Sequence, residues 1–218
     1  MRNIQKRLTL LVAITLVGAV GFLPFIQASG TELPRWAWVV FPLASAAIVA
    51  VTGGLGLWFA DQSALPMPLL RSWEAGQPLV KREAWRLWWP LLAGAILGGV
   101  FAGLNLHFKP PANHGSVLVR LLTTPWAAVV TETIAHLFVL SGLYFLVKSK
   151  LLALLGSSAA FMALFHLSSA GGNTELAVYL GAANLAGILL TGWLYYRQGF
   201  EAAVISHAAM HAVLLAAG

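Results

Sequence analysis

Glu132 has the clearest chemical claim in this sequence. It is the twelfth residue of an apolar stretch, 121–147, that holds no other Asp, Glu, Lys or Arg. A carboxyl at the centre of a membrane-length segment costs on the order of 2.5–3.5 kcal/mol on insertion scales, so it should face a bundle interior or a water-filled cavity. His136 follows four residues later and shares a helix face with it. His207 and His211 repeat that spacing in the last apolar stretch, and His166 lies in another. Three chemistries are open to one Glu and several His. Glu132 could act as a general base on water, one His orienting that water and others binding an oxyanion. The same groups could bind zinc, for which His and Glu are ordinary ligands. They could also relay protons in a transporter. His107 and His114 flank Pro110-Pro111 and read as loop residues.

Positioning such groups is the task of apolar helices. Of the 218 residues 59% are hydrophobic and only 9% charged, with a mean hydropathy of +0.81. Soluble domains carry about 25% charged residues, so lipid must solvate most of this surface. The predicted fold is all-α: a single integral membrane domain, 1–218, built as a bundle of about seven transmembrane helices. A span needs about 20 apolar residues, and the charge-poor windows are 8–31, 36–60, 87–108, 121–147, 151–174, 176–196 and 202–218. With the N-terminus in the cytoplasm, ten Lys/Arg fall on the cytoplasmic side and three (Arg35, Lys109, Arg120) on the other. That is the positive-inside pattern, and it predicts N-in and C-out. The first stretch is longer than a cleaved signal segment and reads as a retained span, with cleavage after Gln27-Ala28-Ser29 as the alternative.

Net charge is +6, but the basic residues sit at the ends of apolar runs rather than in one patch, so nucleic acid is not an expected partner. Membrane lipid is. The absence of cysteine excludes disulfides, thiolate metal sites and a cysteine nucleophile. Residues 61–86 hold Pro66, Pro68, Gly76 and Pro78 and read as a turn-rich cytoplasmic connection. Trp36, Trp38, Trp85, Trp88 and Trp89 read as interfacial anchors. Gly94, Gly98, Gly99 and Gly103 predict close helix packing within the bundle. Asn105 and Asn184 should bond between helices, Asn173 and Glu175 lie in a solvated outer loop, and Arg197 with Gly199 should end a helix.

The order of the motifs adds a family. Thr131-Glu132-Thr133-Ile134-Ala135-His136, then Met162-Ala163-Leu164-Phe165-His166, then His207-Ala208-Ala209-Met210-His211, resemble the three motifs of the CPBP family of intramembrane proteins. That family includes the CAAX prenyl proteases and the Abi proteins of bacteriocin processing or self-immunity. Its motifs are Glu-Glu-x-x-x-Arg, Phe-x-x-x-His and His-x-x-x-Asn. The run 192–199, followed by 202–207, resembles the family's link into its last helix, and residues 66–78 resemble a segment of bacterial members. The likeness covers roughly 40–215, with the family core at about 115–215. The departures are a single Glu with Thr131 or Thr133 beside it, His136 or Leu137 in place of Arg, Met162 in place of Phe, and His211 in place of Asn.

The resemblance implies a glutamate-type endopeptidase of the bacterial inner (plasma) membrane, hydrolysing a peptide or protein substrate at or within the bilayer. Glu132 and His166 would activate water, His207 and His211 would bind the oxyanion, and His136 would be accessory. No cofactor is implied. The alternatives are an inactive member acting as immunity factor or scaffold, and a zinc hydrolase holding its metal with Glu132, His166, His207 and His211.

Overall fold

The computed structural model describes residues 2–28, 32–77, 85–108, 117–165 and 174–217. Among these the regular structure is entirely helical. The helices are α1 (Arg2–Ala28), α2 (Ala37–Gln62), α3 (Pro68–Glu74), α4 (Trp88–Phe108), α5 (Val117–Glu132), α6 (Ser141–Val147), α7 (Lys150–Phe165), α8 (Thr174–Gln198) and α9 (Phe200–Ala217). A π-helical segment, Thr133–Leu140, joins α5 to α6 without a break. Among the described residues six helical stretches are long and apolar enough to cross a membrane: 4–24, 37–62, 88–108, 121–147, 174–198 and 200–217. The 21 residues of α4 rise about 32 Å at 1.5 Å per residue, close to the hydrocarbon thickness of a bilayer. Large apolar side chains such as Val17, Leu43, Val51, Ile96 and Val178 point outward. Water would not tolerate that surface; lipid does. The expected fifth span, 151–174, is described as the shorter apolar helix α7.

The core gathers Leu11 of α1, Val49 and Leu57 of α2, Leu137 and Leu140 of the π segment, and Tyr195 of α8. Leu65, Met67 and Leu70 complete it. They come from the connection read as turn-rich, which proves to contain α3, packed into one end of the bundle. Its seat is specific. Leu70 N–H donates to Glu201 Oε1 at 2.7 Å, so an acid at the start of α9 satisfies an otherwise free amide in the first turn of α3. Phe200 N–H donates to the Pro66 carbonyl at 3.3 Å. Between them lies Gly199, with φ +112°, where a Cβ would sit 2.8 Å from the Pro66 carbonyl oxygen. Glycine alone permits both the left-handed turn and that approach.

Contacts gather the basic residues at this same end. Arg7 of α1 pairs with Asp61 and Glu74, Arg71 pairs with Asp61, and the Lys150 ammonium lies 5.7 Å from the Tyr196 ring, next to Arg197. Two of these charges differ from expectation. Arg7 and Glu201 are buried, not merely terminal.

α9 makes its broadest contact with α4, and glycine is the cause. A Cβ at Gly94 would run into the Ser206 carbonyl oxygen, and one at Gly98 would lie 2.5 Å from that of Met210. Gly99 and Gly103 face open space, so only half of the glycine stripe packs within the bundle. Asn105 bonds between helices as expected, accepting from Tyr179 Oη of α8 at 2.5 Å. Gly94→Leu should therefore destabilise the protein by about 1–3 kcal/mol through overpacking, while Gly99→Leu should stay within about 0.5 kcal/mol of wild type. Unfolding in detergent checks the pair, and equal losses would contradict the α4–α9 packing.

Candidate functional site

Glu132 closes α5, and the next eight residues widen into the π-helical turn. Such segments are uncommon and often found at functional sites. Two contacts accompany this one. Gly56 of α2 lets the Leu137 carbonyl approach where a Cβ would collide. Ser141 Oγ donates to the His136 carbonyl at 3.2 Å. Having spent its proton there, Ser141 accepts from Tyr195 Oη of α8 at 2.7 Å.

The π segment sets His136 against Glu132. His136 Nδ1 lies in close hydrogen-bond contact with Glu132 Oε2. From α9, His207 Nδ1 reaches Glu132 Oε1 at 2.6 Å. One carboxylate thus holds a ring nitrogen on each oxygen. Glu132 and His136 are each 1% exposed, and the His207 side chain is 15% exposed. His207 is the member of the trio that space outside the protein can reach.

Partners set the proton inventory. His136 Nε2 lies 3.3 Å from the Ile188 carbonyl of α8. A carbonyl only accepts, so Nε2 carries a hydrogen. One further proton lies between His136 Nδ1 and Oε2, and another between His207 Nδ1 and Oε1. With three protons over these groups the trio is neutral wherever the shared protons sit, which suits a low-dielectric interior. His207 Nε2 is left with a lone pair. His211 stacks on His207, the ring centroids 4.8 Å apart and the planes 24° from parallel.

Of the residues singled out from sequence, Glu132, His136 and His207 come together and His211 adjoins them. His166 lies outside the described residues. Met162 is half-buried on α7, against α8 at Gly181. The supporting residues Ile188, Ser141, Tyr195 and Gly192 were not foreseen. A backbone carbonyl has no sequence signature. Gly192 and Tyr195 did fall in a run singled out for another reason, and a Cβ at Gly192 would lie 2.9 Å from His136 Nε2 and collide with Leu154. Gly192→Ala should cost about 1–3 kcal/mol by pushing the imidazole off Ile188; an unchanged thermal unfolding midpoint would contradict this close approach.

Both nitrogens of His136 are engaged, and the Nδ1 of His207 is turned to Glu132. Among the described residues no three His, Cys, Asp or Glu side chains are placed to share a metal ion. No family model, curated protein or solved structure matches the chain.

Proposed function

We propose that the chain is an intramembrane endopeptidase that hydrolyses a peptide bond at or within the bilayer with a Glu/His-activated water. The observation that supports it best is a buried carboxylate with the Nδ1 atoms of two histidines on its two oxygens. In this reading the roles follow from access and tautomer. Glu132 is sealed and holds His207 in the Nδ1–H form. The His207 Nε2 lone pair takes a proton from water as the water oxygen attacks the peptide carbonyl carbon, and Glu132 stabilises the imidazolium that results. An N–H of His211 serves the developing oxyanion. The tetrahedral intermediate then breaks its C–N bond, and His207 returns its proton to the leaving amine. His136 orients Glu132, while His166 keeps the share in water activation that the family resemblance implies. His207 thereby moves from oxyanion donor to base, because a neutral ring cannot donate from a nitrogen that holds a lone pair.

The same proposal takes α7 as a seventh span and places the N-terminus in the cytoplasm. The basic residues gathered at one end of the bundle support that orientation. A bacterial inner (plasma) membrane is the setting the resemblance implies.

A non-catalytic immunity factor or scaffold of the same fold is the second reading. It is favoured by the fact that both Glu132 oxygens already have partners, as a purely structural carboxylate would. Cleavage of a membrane-peptide library by purified protein, wild type beside Glu132→Gln, with and without chelator, separates the readings. Chelator-resistant cleavage that vanishes in the variant is the expected result. Cleavage surviving in a folded variant would overturn the proposal. Loss to chelator with recovery on added zinc would make the protein a metal hydrolase, and no cleavage by either form would favour the scaffold.

A further inference from the structure

We propose that a cleft at the basic end of the bundle binds an anionic phospholipid, with the headgroup phosphate held by arginines and the acyl chains laid along α4. The cleft has a volume of about 960 Å³, and none of its lining residues belongs to the Glu132 cluster. It opens between the segment 66–71, residues 85–92 and the end of α8. Among the described residues three arginines line it, Arg71, Arg86 and Arg197, and no acid does. Arg71 shares Asp61 with Arg7. Arg86 and Arg197 have no ion-pair partner among the described residues. A phosphate is the natural counterion for guanidiniums, whose planar forks bind its oxygens in pairs.

The apolar side of the cleft indicates a lipid rather than a free anion. Trp88 and Trp89 stand exposed at its rim, where indoles mark the headgroup level of a bilayer. One turn further along α4, Leu91 and Leu92 are also exposed and also line it. The wall thus runs from guanidinium through indole to leucine, the order met along a phospholipid from phosphate through glycerol to acyl chain. A zwitterionic lipid brings its own cation to the arginines and gains less from them.

Native mass spectrometry of the full chain in detergent, titrated with phosphatidylglycerol, tests this. Phosphatidylglycerol should be retained in preference to phosphatidylcholine. Each arginine near the surface contributes about fivefold, so R86Q/R197Q should weaken phosphatidylglycerol binding roughly thirtyfold. Both side chains are exposed, so the variant keeps its fold. K148Q/K150Q, with two charges removed outside the cleft, should bind as wild type does. An equal loss in that control would reduce the effect to diffuse surface charge and overturn the site. Retention of phosphatidylcholine equal to that of phosphatidylglycerol would also overturn it, and displacement by inorganic phosphate at comparable concentration would show that the acyl wall contributes nothing.

Discussion

On the proposed peptidase reading, replacing Glu132 with Gln is expected to abolish peptide cleavage while leaving the fold intact. Loss of a positioned acid–base system lowers rates by about 10²–10⁴-fold. Two losses account for it here. The negative charge that stabilises an imidazolium on His207 disappears. The amide oxygen that replaces it is a weaker acceptor and fixes the imidazole less firmly in the Nδ1–H form. The fold survives because the amide reproduces the hydrogen bonds of the neutral trio. Its carbonyl oxygen accepts from His207 Nδ1, and its NH₂ donates to the His136 Nδ1 lone pair, with His136 Nε2 still on Ile188. Unfolding in detergent should move by less than about 1 kcal/mol. Glu132→Leu gives the contrast. It leaves two buried ring nitrogens without partners, at about 1–3 kcal/mol each, so activity and stability would fall together. A folded Gln variant that cleaves as wild type does would remove Glu132 from the chemistry.

The residues of this trio were legible in unequal degree. Glu132 and His136 could be paired from spacing alone, because four residues separate them on one helix. The π turn that lies between them could not, since nothing in Thr-Ile-Ala-His-Leu distinguishes a wide turn from an ordinary one. The contact with His207 spans 75 positions and needs α9, which lies close against α4, to pack on α5 as well. The glycines at 94 and 98 permit that closeness, but the sequence shows four glycines and not which two face inward. Span limits were read from charge, and a helix need not end where its apolar stretch does. Arg2, Lys6 and Arg7 lie within α1, which begins ahead of the expected position 8. The same habit of placing charge at edges hid α3. A connection rich in proline and charge reads as solvated loop until the acids in it find Arg7 and the apolar residues find the core. The segment 66–71 and the turn at Gly199, singled out separately by their family likeness, meet in space.

Arg7 carries the second large effect. Arg7→Met should destabilise the protein by about 3 kcal/mol, the low end for removing one partner from a buried ion pair, because Asp61 is 28% exposed. The guanidinium is 3% exposed. Its two terminal nitrogens donate to the two oxygens of Asp61 at 3.0 and 2.5 Å, and Nε lies 3.0 Å from Glu74 Oε2. One side chain of α1 therefore ties the end of α2 to the end of α3. Without it Asp61 keeps, among the described residues, only Arg71, at 3.3 Å, and Glu74 loses its ion-pair partner. R7M/D61N/E74Q should recover part of the loss, because the one charge left unpaired, Arg71, is 48% exposed. Arg7→Lys separates this role from that of a topology signal. Lysine keeps the charge that orients a first span but lacks the planar fork that spans Asp61 and reaches Glu74. If Arg7 only marks the cytoplasmic side, the Lys variant should unfold as wild type does; if it clamps three helices, that variant should be clearly weaker. The proposed proteolytic activity should follow the same course. α3 meets Glu201, α9 begins at Phe200, and His207 stands two turns further on, so loosening the clamp releases the helix that brings His207 to Glu132. Arg7 variants should thus lose stability and cleavage in proportion, whereas Glu132→Gln should lose cleavage alone.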